Sequence, residues 1–382
     1  MEVEIGRGKI ARVSYGFDEI SIVPSRRTRD LEDIDISWSI AGHRFEIPVM
    51  ASAMDGVVDV GFAIELGKLG GLAVLNLDGI QSRYDEPADI YERIRNASRD
   101  TATRTIQEIY KEPVKPELVS RRIKEMKKGG IITAASLTPQ RVREFAGIVI
   151  DAGLDILVIQ GTVVSAEHVS TKVTPLDLNE FIRSCSIPVI VGNCASYQTA
   201  LHLMRTGAAG ILVGVGPGAA CTTRAVLGVG VPMATAVADA SEARIRCLEE
   251  TGRYVHVISD GGMRVGGDVA KAIACGADAV MIGSPLTRAE ESPGKGYHWG
   301  MATYHPTLPR GTRVKTEVVG SLKTILLGPS SENDGTLNLM GALKTSMATC
   351  GYREIKEFQK AELVIAPSIS TEGKFLQLKQ LR

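Results

Sequence analysis

A chain of 382 residues in which Lys plus Arg and Asp plus Glu are each 44 carries no net field, which argues against nucleic-acid or anionic-membrane binding and requires any anionic ligand to be held locally. Hydrophobic residues make up 44%, aromatic residues only 5%, and there are 40 glycines, a small-aliphatic profile that favours a barrel interior over a β-sandwich. The first residues lack the basic-then-apolar layout of a secretory leader, no uncharged apolar run reaches bilayer length, and six scattered cysteines without Cys-x-x-Cys spacing indicate neither a disulfide framework nor a zinc site, so the expected location is the cytoplasm.

Short β-branched runs recur along the chain, each followed by a polar or Gly-containing turn and a segment of helical periodicity. Eight read as strands: 47–52, 71–76, 131–137, 155–160, 187–193, 210–214, 255–260 and 278–283. Asp151-Ala152-Gly153, Thr206-Gly207-Ala208 and Cys275-Gly276-Ala277 put Gly where a helix C-cap needs it. Alternation of this kind implies a parallel sheet with right-handed crossovers, and eight repeats favour closure. The predicted fold is therefore α/β, a single (β/α)₈ TIM-barrel domain over residues 1–382. The connection 77–130 is too long for one crossover helix and, with its Glu112-Pro113-Val114-Lys115-Pro116 stretch, predicts a surface excursion of two helices before the barrel resumes. Residues 285–330 carry Gly, Pro and charge without clear period and read as a long active-site loop. Helical periodicity returns over 338–351, and 366–382 read as a polar tail that is mobile or reaches a neighbouring subunit.

In such barrels the chemistry sits at the C-terminal ends of the strands. There the sequence places Ser52-Ala53-Met54-Asp55, Asn193, the run from Gly214 to Thr223, Asp260-Gly261-Gly262 and Gly283-Ser284. Strands seven and eight commonly build a phosphate site, because Gly lets backbone N–H groups approach an anion; Gly262, Gly283 and Ser284 suit that role, against the alternative that these glycines only shape tight turns. Asp260 beside them has the acceptors for ribose hydroxyls, which points to a nucleotide. The stretch Gly214-Val215-Gly216-Pro217-Gly218-Ala219-Ala220-Cys221-Thr222-Thr223-Arg224 is not a dinucleotide fingerprint. Asp239 has about the right spacing for one, but 234–250 reads as helix. A Gly-flexible loop carrying one thiol beside hydroxyls and Arg224 reads instead as a mobile nucleophile, whose thiolate a nearby cation or helix N-terminus would favour. Cys185, Cys247, Cys275 and Cys350 fall on predicted helices and Cys194 packs beside Asn193, so these five read as structural. The six histidines form no metal-ligand pair, and His298 and His305 read as ordinary polar residues of the loop after strand eight.

At this point the chain resembles the IMP dehydrogenase/GMP reductase superfamily over nearly its whole length. The loop from Gly214 to Arg224 is similar to that family's signature, and Tyr15-Gly16-Phe17-Asp18-Glu19-Ile20, Ala51-Ser52-Ala53-Met54-Asp55, Ile258-Ser259-Asp260-Gly261-Gly262 and Gly266-Gly267-Asp268-Val269 match further blocks. The nearest group is that of bacterial IMP-dehydrogenase-related proteins without CBS domains, since 77–130 is far too short to hold a CBS pair. The resemblance implies a purine 5′-mononucleotide substrate attacked at carbon 2 by Cys221, with Thr223 assisting proton transfer. It implies that Ser52, Gly262, Gly283 and Ser284 hold the phosphate, Asp260 the ribose, and Gly300 and Met301 the base. Met54, Asn193 and Arg310 complete the substrate wall, and Gln160 and Gly214 face the nicotinamide cofactor. Backbone carbonyls of Gly216, Gly218 and Cys221 match a potassium site of dehydrogenase members.

Family dehydrogenases hydrolyse the covalent intermediate with a flap Arg-Tyr pair as base, whereas between Met301 and Arg310 lie eight residues without that pair. The expected activity is therefore GMP reduction with NADP(H) favoured over NAD(H), in a homo-tetramer. The alternatives are IMP oxidation with NAD, a non-catalytic purine-nucleotide-binding protein, and a flavin-dependent barrel oxidoreductase. Three positions depart from the family pattern: Arg310 between Pro309 and Gly311, Gln160 in place of an Asp, and Ala219 in place of a phosphate-binding Ser. Arg310 cannot accept a hydrogen from a ring nitrogen, which leaves Glu290 and Glu291 as candidates for a displaced general acid.

Overall fold

The computed structural model describes residues 2–171, 174–300 and 312–366. Met301, His305 and Arg310, and all of the tail but Ala366, lie outside the described residues.

Eight parallel strands close into a barrel in chain order: β1 (Val49–Ala51), β2 (Leu72–Asn76), β3 (Ala134–Leu137), β4 (Ile156–Gln160), β5 (Val189–Cys194), β6 (Gly210–Val213), β7 (His256–Asp260) and β8 (Ala279–Ile282), with β8 pairing back to β1. Each lies within or at the edge of a run expected from the sequence. The strands are near-continuous aliphatic runs because helices cover the outside while side chains fill the inside, so both faces are buried. The crossover helices are α1 (Val60–Lys68), α2 (Pro116–Lys128), α3 (Val142–Asp151), α4 (Leu178–Ser184), α5 (Tyr197–Arg205), α6 (Met233–Thr251), α7 (Gly266–Ala274) and α8 (Leu339–Thr349). Side-chain caps open several of them: Asp59 accepts from Phe62 N in α1, and Ser196 from Thr199 N in α5. The N-terminal mouth is plugged by a hairpin, Trp38–Ile40 with His43–Phe45, whose Trp38 Nε1 donates to Ile47 O at 3.0 Å. A Cβ on Gly210 would stand 3.1 Å from Ile40 Cδ1, so the plug seats against a strand that has no side chain there.

The connection after β2 holds three helices. α2 is the barrel's own crossover, while Pro87–Asn96 and Ala102–Ile109 form the excursion. These last two build a second apolar cluster of Ile80, Tyr91, Ile94, Ile106, Ile109 and Tyr110, completed by Trp299 from beyond β8. Polar bonds lock it to the barrel: buried Asp55 accepts from Ile80 N at 3.0 Å and from the Tyr110 hydroxyl, which itself accepts from Trp299 Nε1 at 3.0 Å.

Within 285–330 the described residues contain a two-stranded antiparallel ribbon, Tyr297–Trp299 with Arg313–Lys315, and a short helix Leu322–Leu327. Strands of three residues are too short for alternation to register in the sequence. Among the described residues no helix is long and apolar enough to cross a membrane.

Candidate active site

The C-terminal strand ends converge on a cavity of about 570 Å³, a volume in the range of small-molecule sites. Ser52, Met54, Gln160, Asn193, Gly214, Gly216, Gly218, Cys221, Asp260, Gly262, Gly283, Ser284 and Gly300 all line it. Thus the described residues expected to touch substrate or cofactor reach one space, and Thr223 lies directly behind Cys221.

Of the six cysteines, all described, Cys221 is the exposed one. Its Sγ lies 3.2 Å from Thr223 Oγ1, and Thr223 is buried at the first turn of a short helix, Thr223–Leu227. Burial pushes the Cys194 and Cys275 thiols up to about 12, which keeps them protonated and inert. Arg224 clamps the two ends of the loop: its Nε donates to Val215 O at 3.3 Å and its Nη2 to Val231 O at 2.7 Å. Gly214 opens that loop where a Cβ would stand 2.2 Å from Asp260 O, so a side chain there would force β6 and β7 apart. The Gly218 carbonyl accepts from Cys221 N at 3.0 Å, so at least one of the three oxygens matched to a potassium site is already engaged in the loop's own turn.

At the end of β7, Asp260 Oδ2 accepts from Asn193 Nδ2 at 2.7 Å and Gln160 Nε2 at 3.1 Å, and Gln160 Nε2 also reaches Asn193 Oδ1 at 3.2 Å. Burial raises the Asp260 carboxyl to about 6, with the two amides pulling the other way. Gln160 therefore has a defined place in β4: it anchors a carboxylate, where a second acid would repel it. Beside Asp260, Gly261 and Gly262 take φ of +82° and +81°, the left-handed region, and a Cβ on Gly262 would stand 3.0 Å from Pro217 Cβ. The two glycines let the thiol loop pack onto the β7 end.

The β8 end faces β1 closely, since a Cβ on Gly283 would stand 3.1 Å from Met54 Sδ and 3.5 Å from Ser52 Oγ. Ser284 Oγ lies 2.8 Å from His298 Nε2. His298, taken from the sequence as an ordinary loop residue, is 1% exposed and lines the cavity. Burial lowers it to about 4, so the imidazole is neutral at physiological pH. Neither Glu290 nor Glu291 lines the cavity, and Glu291 Oε2 accepts from Leu322 N at 2.8 Å, capping the helix Leu322–Leu327. They do not supply the displaced acid.

The opposite wall went unread in the sequence. Asp78 and Arg83 after β2, and Ser136, Thr138, Gln140 and Arg141 at the end of β3, all line the cavity. Asp78 accepts from Thr138 N at 2.8 Å and lies 3.6 Å from Arg141 Nε, while Arg83 donates to Asp78 O at 2.9–3.0 Å. Their position after strands two and three, at the functional end of the barrel, is the sequence signal that marks them.

An eight-stranded barrel with a thiol, a carboxylate and a Gly-Ser end around one cavity defines the class: an α/β-barrel enzyme with its site at the C-terminal face. Residues 14–374 match the model of the IMP dehydrogenase / GMP reductase domain. An uncharacterized oxidoreductase of Mycobacterium leprae is 47% identical, covering 95% of this chain and 100% of that protein. The inosine-5′-monophosphate dehydrogenase of Borreliella burgdorferi is 31% identical over 75% of this chain and 72% of its own length. The crystal structure of an IMP dehydrogenase/GMP reductase-like protein from Corynebacterium glutamicum superposes with a TM-score of 0.90 at 48% identity, covering 95% of this chain and 97% of that one. The chain belongs to the IMP dehydrogenase/GMP reductase family and is an oxidoreductase of that family.

Proposed function

We propose that the protein reduces GMP to IMP and ammonia with NADPH as co-substrate. The observation that carries the chemistry is the exposed Cys221 thiol at the cavity, with the buried Thr223 hydroxyl 3.2 Å from its sulfur. In this reading the Cys221 thiolate adds to purine carbon 2, the C2–N bond breaks, and Thr223 relays the proton that lets the exocyclic amine leave as ammonia. Carbon 2 is then held as a thioimidate on Cys221. Hydride passes from NADPH to carbon 2, the S–C2 bond breaks, and its electron pair returns to sulfur; GMP, NADPH and one proton give IMP, NADP⁺ and ammonia.

Ser52, Gly262, Gly283 and Ser284 are assigned to the 5′-phosphate, Asp260 to the ribose, Met54, Asn193, Gly300, Met301 and Arg310 to the rest of the nucleotide, and Gln160 and Gly214 to the nicotinamide side. Direction is supported by the sequence from Ala302 to Pro309, which lacks the Arg-Tyr pair that hydrolysis of the intermediate uses in family dehydrogenases.

Incubation with GMP and NADPH should consume NADPH and release equimolar IMP and ammonia. Formation of XMP and NADH from IMP and NAD would replace this reading with IMP oxidation, the activity named for the B. burgdorferi relative. Binding of nucleotide without turnover would make the protein a non-catalytic binder. Potassium and the tetramer are part of the same proposal: turnover in potassium should exceed that in lithium, and light scattering should give four times the 40.9 kDa chain mass.

A further inference from the structure

We infer that His298 is a positioning residue which donates from Nε2 to Ser284 and so turns the serine hydroxyl's only proton into the cavity, toward the phosphate of the bound nucleotide. This rests on the nucleotide reading above only in taking the ligand's anionic end to be a 5′-phosphate.

His298 Nε2 and Ser284 Oγ are 2.8 Å apart, and His298 Nδ1 is buried with no hydrogen-bond partner among the described residues. A neutral imidazole has one donor and one acceptor nitrogen, which leaves two arrangements. With the proton on Nδ1, an N–H is orphaned in the interior and Ser284 spends its only hydrogen on Nε2, so its oxygen faces an anion with lone pairs. With the proton on Nε2, only a lone pair is orphaned, and the Ser284 hydrogen is free for the cavity. Buried orphan N–H groups are the rarer and costlier defect, and a phosphate needs donors. Both considerations select the Nε2–H form. Donation from His298 into Ser284 Oγ also polarises the hydroxyl and strengthens its outward bond.

The fold holds His298 to this task from both sides. In the strand Tyr297–Trp299, alternate side chains face opposite ways: Tyr297 and Trp299 pack on the cluster built by the excursion, and His298 faces the barrel. On the barrel side Gly56 presses close, for a Cβ there would stand 2.8 Å from His298 Cα. The excursion thus acts as a support that sets one imidazole against one serine.

The test compares GMP with guanosine, binding of each being measured by calorimetry on the intact protein. His298→Leu removes both ring nitrogens at similar volume. It should weaken GMP about tenfold, the scale of one charge-assisted hydrogen bond, while leaving guanosine affinity unchanged. Ser284→Ala should cost the same, the double variant no more than either, and His298→Gln, which keeps a donor, should recover most of the loss. A thermal melt of each variant confirms folding, and removal of an orphaned nitrogen should leave the midpoint unlowered. Equal weakening of GMP and guanosine, additive losses in the double variant, or unchanged GMP affinity would each overturn the inference. So would a parent protein that binds GMP no better than guanosine, whatever its turnover. Tight phosphate-dependent binding without GMP reduction would instead remove the proposed reaction and leave His298 in place.

Discussion

Acid should disable nucleotide binding through one carboxylate. Asp260 is raised to about 6 by burial although Asn193 and Gln160 both donate to it, so in the folded protein it is an acceptor only above that pH. As the pH falls through about 6, one carboxylate oxygen becomes a hydroxyl and acceptor capacity for the ribose hydroxyls is lost. About one molecule in ten then remains ionised at pH 5, and each further pH unit costs about tenfold in affinity, ~1.4 kcal/mol. A mononucleotide's phosphate also titrates near pH 6. Comparison of the parent with Asp260→Asn, which cannot titrate, separates the two, since both proteins share the ligand's inflection. Calorimetric titration with GMP from pH 8 to 4.5 should show the parent falling more steeply than the variant by one proton per molecule. The variant should bind about tenfold to a hundredfold more weakly at pH 8, the loss expected for a hydrogen bond to a charged acceptor. Superimposable pH profiles, or full affinity in Asp260→Asn, would refute the assignment of Asp260 to the ribose.

Further outcomes follow from the same contacts. Thr223→Val keeps the buried shape but removes the hydroxyl beside sulfur, so single-turnover kinetics should show ammonia release slowed by about a hundredfold with GMP affinity retained. Gly79→Ala would put a Cβ 1.9 Å from Asp55 Oδ1 and disrupt the bonds joining the excursion to the barrel; urea denaturation should register a loss of about 3 kcal/mol. At the opposite end of the barrel, Arg244 and Lys356 hold the buried Asp278 carboxyl down to about 2. A lowered folded value stabilises above the unfolded value, so this contribution, about 2 kcal/mol, is present at neutral pH and is lost as the pH falls from about 4 through 2. Acid unfolding of Asp278→Asn should lack that dependence, and its stability at pH 7 should be reduced by several kcal/mol because the two cations are left uncompensated.

The strands were legible because each is a short β-branched run closed by a turn, a pattern that needs no tertiary information. Cys221, Asp260, Gly283 and Ser284 were legible because the barrel fixes which end of each strand is functional. His298 was not, because its burial is imposed from a distance: Trp299 must sink into a cluster made by residues 80–110 before the neighbouring imidazole is turned inward. Nothing local in the sequence of that segment encodes this. The clamping contacts of Arg224 were not legible for a related reason, since its proximity to Cys221 along the chain says nothing of the two carbonyls that its guanidinium reaches. The β2 and β3 wall is legible only from strand-end position, because Asp78 and Arg141 carry no Gly-rich signature.

Intact-protein mass spectrometry addresses the covalent chemistry at one sulfur directly. After exposure to GMP alone the chain should gain the mass of GMP less ammonia, peptide mapping should place that gain on Cys221, and NADPH should discharge it with release of IMP. A chain that turns over GMP with Cys221 replaced by Ala, or that carries the nucleotide on any other residue, would contradict the account.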